Sequence, residues 1–231
     1  MNGARAGDHG GTQMIYGRRP VAEAKRGRRR VHRVLTTKDV PPAELARLAG
    51  SPDHQGTVAE VDPYPYADPT ALLDSPDALV VVLDQVQDPH NLGAVCRSAE
   101  VAGAAGLVIP ARRSAGVTPA TCKASAGAVE HLAIARVPNL AEWLASAKDA
   151  GAWIYGAQAG ADAPYTEVDL TGRVVLVLGG EGRGLRPRVA ASCDLLVSIP
   201  SPGRIESLNV SAAAAVLLFE AARQRHPGSG A

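Results

Sequence analysis

LLVSIPSPGRIESLNVSAAAAVLLFEAAR, residues 195–223, joins a short apolar run to a long one through a polar loop. Leu195 to Ile199 has the composition of a strand, and Pro200, Pro202 and Gly203 stop it. Ser207, Leu208 and Asn209 then open an alanine-rich helix. Ser and Asn at that point read equally well as caps for orphan amides or as residues of a site. A loop that leaves a strand and feeds a helix N-terminus is where open α/β sheets take ligands.

The same alternation extends upstream. Apolar runs at 78–84, 106–110, 131–137, 152–156, 173–179 and 195–200 read as strands. The stretches 90–104, 119–128, 139–149 and 207–225 read as helices between them. Near-continuous Val/Leu/Ile strands alternating with helices predict an α/β fold, a mostly parallel sheet with helices on both faces. This domain is expected over 77–231, behind a proline-rich linker at 63–76. Residues 14–62 predict a small basic α/β unit: a helix within 14–27 with Pro20 in its first turn, a strand at 30–37, a helix ending at Gly50 and a strand at 57–61. Residues 1–13 are glycine-rich and are expected to be a disordered tail.

The chain of 231 residues has a net charge of only +1, unevenly spread. Residues 1–38 hold ten Lys/Arg against Asp8 and Glu23, leaving 14 basic and 21 acidic residues over 39–231. Such a block is either a solvated surface or a surface for a polyanion, because basic arms bind phosphate backbones by releasing counterions. No run is long and apolar enough to suggest a membrane span, and residues 1–11 lack the apolar core of a signal peptide. Cys96, Cys122 and Cys193 are widely spaced, without a CxxC pair, which suggests a reduced cytoplasm and no disulfide framework. The six histidines show no metal-ligand spacing, so no metal is expected.

Two further segments carry polar residues at strand ends. In DPHNLGAVCRSAEVAG (88–103), Asp88-Pro89 suits a helix start, with Leu92, Val95, Ala99 and Ala102 on the apolar side. Asn91 is a second cap or a site residue; Arg97 is a solvent-facing helical residue or a phosphate clamp. In VLVLGGEGRGLRPRV (175–189), Gly179, Gly180, Gly182 and Gly184 allow close backbone approach to a ligand, and Glu181 is an exposed loop carboxylate or a site residue. The spacing is neither a dinucleotide fingerprint nor a P-loop. Without a Cys-His, Ser-His-Asp or metal cluster, these residues fit the orientation of two substrates for direct transfer.

DPHNLGAVCRSAEVAG, LGGEGRGL (178–185) and IPSPGRIESLNVSAAAAVLLFEA (199–221) resemble, in order and separation, the three motifs of the SpoU (TrmH-like) RNA ribose 2′-O-methyltransferases of the SPOUT superfamily. IYGRRPVAEA (15–24), RRVHRVLTT (29–37) and DHQGTVAEV (53–61) are similar to the substrate-binding domain of the subgroup acting on guanosine in 23S ribosomal RNA. The resemblance implies a C-terminal trefoil knot, S-adenosylmethionine as cofactor, a homodimer whose sites draw on both subunits, and an RNA partner. It implies that Gly179, Ile199 and Leu208 contact the cofactor through their backbones. Asn91, Arg97, Glu181, Ser207 and Asn209 match the catalytic polar positions, Arg97 being the family's base, or by its chemistry a phosphate clamp and alkoxide stabiliser. Transfer RNA is the main alternative substrate, and a non-catalytic RNA-binding or ribosome-assembly protein of the same fold is the alternative class. One departure stands out: Ser201 and Pro202 follow Ile199-Pro200, where the family usually has Met.

Overall fold

Gln13–Tyr16 forms strand β1, and the structure, a computed structural model, describes residues 11–180, 184–205 and 207–226. The helix expected from Met14 starts only after a turn at Gly17 (φ +101°), as α1 (Arg18–Ala24) with Pro20 in its first turn. Pairing explains the difference, since β1 runs antiparallel to β3 (Thr57–Val61) and buries Ile15 and Tyr16. Strand β2 (Val31–Thr36) pairs with the other edge of β3, giving a three-stranded sheet of order β1-β3-β2. Helix α2 (Pro42–Ala49) ends on left-handed Gly50 (φ +63°), which donates its amide back to Ala46 and Arg47.

The second sheet has seven strands. In chain order its elements are β4 (Leu79–Asp84), α3 (Pro89–Val101), β5 (Gly106–Pro110), α4 (Pro119–Ala124), β6 (Ile134–Val137), α5 (Leu140–Asp149) and β7 (Trp153–Ala157). They continue with β8 (Ala163–Pro164), β9 (Val174–Gly179), α6 (Pro187–Ala190), β10 (Leu195–Ser198) and α7 (Val210–Arg225). The order is β6-β5-β4-β9-β7-β10-β8, and every pairing is parallel. Strand β8 and helix α6 are new relative to the sequence reading, being too short to carry a periodic signal.

Alternation along the strands divides the core in two. Leu79, Val81, Leu83, Leu176 and Leu178 face Leu92, Val95, Leu217 and Leu218 of α3 and α7. Val80, Val82, Val175 and Val177 face Trp143, Leu144 and Val189 of α5 and α6. Both faces are covered, which is why the strands read as unbroken apolar runs.

The small sheet is packed onto the first of these layers, with Ile15, Val21, Ala59 and Val61 in the same core as α3. Arg29, counted above with the basic block, is buried at this joint. Its guanidinium pairs with the equally buried Glu130 and donates from Nη1 to Gln13 Oε1 at 2.7 Å. Burial penalises the Arg29 charge, and the Glu130 carboxylate and Cys122 sulfur together offset it, raising the pKa. Residues 63–76, expected as a linker, lie along the sheet: Ala67 bridges to Ala135, Tyr64 donates to the Leu132 carbonyl at 2.6 Å, and Leu72 and Leu73 are buried.

Candidate active site

In a parallel sheet all strands end on one edge, and here Asp84, Ala157, Gly179 and Ser198 end the four neighbouring strands β4, β7, β9 and β10. Strand β9, far along the chain from β4, sits beside it, so the loops after β9 and β10 meet at the centre of that edge. Between them lies a cleft of about 400 Å³, lined by Gln158 and Ala159, Gly179 and Gly180, Gly184 and Leu185, Ile199 and Ser201, and Ser207 and Leu208. Four of the residues singled out from sequence (Gly179, Ile199, Ser207 and Leu208) thus share one cleft. Ser201, at the position where the motif pattern has Met, is also in its wall, its hydroxyl donating to the Ile199 carbonyl at 3.1 Å. Leu208 and Ile205 stand 48% and 79% exposed, leaving apolar surface open at this loop.

The glycines serve the protein's own backbone before any ligand. A Cβ on Gly179 would fall 2.1 Å from the Gly184 carbonyl carbon, and one on Gly180 would fall 2.8 Å from the Gln85 carbonyl oxygen. Gly180 donates to the Asp84 carbonyl at 2.9 Å and receives a bond from the Gly184 amide at 3.1 Å. Asp84 was read from sequence only as a strand end. Its side chain has no exposed surface and accepts from the Arg186 amide at 2.9 Å and from Arg186 Nε at 2.7 Å. One residue therefore grips both ends of the glycine segment, by its carbonyl at Gly180 and its carboxylate at Arg186. The available signal was a charged residue closing an otherwise wholly apolar buried strand, where an acid needs a partner. Glu181, in the middle of this segment, lies outside the described residues.

The N-cap of α3 is Asp88, which accepts from the His90 amide at 2.9 Å, so Asn91 is not the cap. Asn91 instead receives a hydrogen bond from Asn209 Nδ2 at 3.1 Å. Asn209 is the N-cap of α7, its Oδ1 accepting from the Ser211 amide at 2.8 Å and hydroxyl at 2.6 Å. One Asn209 side chain thus both closes α7 and ties it to α3 beside the cleft. Arg97 does not join this group. It is exposed on α3, does not line the cleft, and makes no ion pair among the described residues.

Thiol chemistry finds no support at this edge, because desolvation raises the Cys122 and Cys193 thiols to about 11 and Cys96 further. Among the described residues no group of three His, Cys, Asp or Glu side chains could hold a metal ion, and no helix is long and apolar enough to cross a membrane.

A parallel α/β sheet with its cleft at the carboxyl edge defines a ligand-binding domain of the open-sheet class. The family profile described as SpoU rRNA Methylase family matches residues 78–219, and the chain belongs to that family. It is 41% identical to an uncharacterized tRNA/rRNA methyltransferase of Mycolicibacterium smegmatis, over 93% of this chain and 77% of that protein. Among solved structures it is similar to the SpoU methyltransferase AviRb of Streptomyces viridochromogenes in complex with AdoMet, with a TM-score of 0.79 and 31% identity over 94% of this chain and 92% of AviRb. An RNA 2′-O ribose methyltransferase superposes with a TM-score of 0.78 and 29% identity, over 91% of this chain and 88% of the other.

Proposed function

We propose that this protein transfers a methyl group from S-adenosylmethionine to a ribose 2′-hydroxyl of RNA, with 23S ribosomal RNA as substrate. The observation that carries the reading is the carboxyl-edge cleft, where Gly179, Ile199, Ser207 and Leu208 meet in a chain of this family. Its volume of about 400 Å³ suits a small-molecule cofactor, and its wall offers an adenosine both backbone amides and carbonyls and apolar side chains. The AdoMet complex of AviRb and the 2′-O activity named for the second structure support the same assignment.

The bound cofactor would supply an electrophilic methyl on a sulfonium. The chain's part is to hold Gly179, Ile199 and Leu208 as backbone contacts and to keep the cleft's two loops in register through Asp84 and Asn209. Ser207 and Asn209 orient neighbouring polar groups, and Glu181 is assigned to the same loop set. A 2′-hydroxyl is a poor nucleophile until its proton is leaving, so the reaction gains from a cation beside the developing alkoxide. Arg97 is assigned that task, together with clamping an RNA phosphate. Because it stands outside its own cleft, it serves the cleft of a second copy in a homodimer. Val101 and Phe219, 63% and 50% exposed on the adjacent helices α3 and α7, are apolar surface for that contact. The insertion of β9 between β4 and β7, with α7 brought back onto α3, supports a knotted C-terminal path.

Incubation with methyl-labelled S-adenosylmethionine and separate ribosomal and transfer RNA, followed by mapping of 2′-O-methylation, tests the reading. Labelled ribose in 23S RNA is expected, and Arg97→Ala is expected to abolish it with cofactor affinity unchanged. Label only in transfer RNA would reassign the substrate. Cofactor binding without transfer to either RNA would leave a non-catalytic RNA-binding protein.

A further inference from the structure

A second cleft, of about 550 Å³, opens where the small sheet meets α4, away from the carboxyl-edge cleft. Among the described residues its lining is Arg18, Arg19, Pro20, Gln55, Lys123 and Ala126, three cations and no acid. Arg18 and Arg19 belong to the basic N-terminal block, but Lys123 comes from α4, about a hundred residues later. A run of charge in sequence cannot account for that convergence. None of the three forms an ion pair among the described residues; Asp53 is the acid whose charge reaches Lys123. Lys123 is half-buried beside the Tyr16 ring, 5.9 Å from its centroid, and its desolvation disfavours the charged form.

The backbone is shaped around these cations. Gly17 leaves room for Lys123, whose Nζ lies 2.9 Å from where a Cβ would be. Arg18 is held across the mouth by Gln55, its amide donating to Oε1 and its Nε to the carbonyl, both at 3.2 Å. Gln55 and Ala126, on the two lips, both sit in left-handed conformation at φ +52° and +53°, costly for residues with a side chain. Three like charges gathered without a carboxylate are stabilised by an anionic ligand, and guanidinium and ammonium groups together favour phosphate. Among the described residues the lining offers no aromatic face and little to read a base edge, which favours a backbone contact over nucleotide recognition.

The position relates the cleft to the site already described. Helix α4 packs on α3 at Gly93, where a Cβ would fall 2.5 Å from Ala124 Cβ. Two residues away, Asn91 is bonded to Asn209 beside the carboxyl-edge cleft. We propose that the second cleft binds the phosphodiester backbone of RNA, with Arg18, Arg19 and Lys123 as its phosphate ligands, and holds the substrate at a point remote from the accepting ribose. The proposal rests on the RNA-methyltransferase reading and adds to it a binding site that spans both sheets.

The test uses the full chain, a single-stranded 20-nucleotide RNA and ribosomal RNA, with affinity followed by anisotropy over a series of KCl concentrations. Replacing all three residues (Arg18→Gln, Arg19→Gln, Lys123→Gln) is expected to weaken RNA binding at least about tenfold and to reduce the slope of log affinity against log salt by about 2 for the single strand. Thermal midpoint and S-adenosylmethionine affinity should stay at the wild-type values. Arg19→Gln alone, at a side chain with no hydrogen bond among the described residues, should reduce the slope by about 0.7, and Lys123→Arg should keep it. A folded triple variant with wild-type slope, while the wild type still methylates RNA, overturns this proposal alone. Tight binding of a nucleoside triphosphate that depends on Lys123, with no change in the RNA slope, also overturns it. A wild-type protein that binds S-adenosylmethionine but neither binds nor methylates RNA overturns both readings.

Discussion

Arg29–Glu130 and Arg186–Asp84 are both arginine–carboxylate pairs whose acid is wholly buried, yet they differ in the cation. At the joint between the two sheets the Arg29 side chain has no exposed surface, whereas at the carboxyl-edge cleft Arg186 is 45% exposed. A pair buried on both sides cannot separate without stranding a charge in the core. A pair with one wet partner can exchange its bond for water. The protein therefore fixes the small sheet permanently and tethers the glycine loop more lightly, although Asp84 also holds the Arg186 amide. Rigidity is placed where orientation of a substrate-binding unit matters, and latitude where a ligand must enter and leave.

Breaking the first pair should cost most. Glu130→Ala leaves Arg29 uncompensated and is expected to lower unfolding free energy by about 3–5 kcal/mol in a urea titration. Replacing both partners (Arg29→Met with Glu130→Leu) should recover most of that loss, because two apolar groups strand no charge. A single-variant loss below about 1 kcal/mol would mean that Arg29 finds other partners. Asp84→Asn should separate the two regions: a stability loss of about 1–3 kcal/mol, accompanied by S-adenosylmethionine affinity reduced about tenfold or more by calorimetry. Unchanged affinity would show that the glycine segment holds its shape without this carboxylate.

A surface pair completes the series with the smallest effect. On α7, Arg223, helped by Gln224, bonds the Glu220 carboxylate and holds its pKa at about 2 against desolvation, below its ordinary 4.5. The folded state then binds fewer protons than the unfolded chain, so this contribution is complete above pH 4.5 and is lost as pH falls towards 2. Glu220→Gln should flatten the stability profile over that interval, lowering stability at neutral pH and approaching the wild type near pH 2. A profile with unaltered acid slope would count against the bond.

What was legible in the chain follows the same physics. The parallel sheet was readable because β4 and β9 are covered on both faces, and burial of that kind leaves a continuous apolar signature. Strand β1 was not, since its four residues take their conformation from β3, more than forty positions later. Asn209 was legible as a cap; its bond to Asn91, 118 residues away, required the fold. Charge counting placed Arg29 among solvent-facing cations, because nothing local announces that Glu130 will meet it. Asp84 was passed over for a related reason: its partners are the Arg186 amide and guanidinium, 102 positions on. Patterns report which faces are apolar, while long-range polar partners are chosen only after the strands have been ordered.

The joint at Arg29 also sets a schedule. Glu130 follows Arg29 by 101 residues, so at a synthesis rate of about 5–20 residues per second the arginine waits about 5–20 s for its counterion. For most of that interval α3 and α4 have not been made, and Ile15, Val21 and Ala24 have nothing of them to cover their side chains. The small sheet is made first and docked second, and its apolar underside is open to the ribosome, to chaperones and to other nascent chains until the strand-and-helix scaffold that will receive it has emerged.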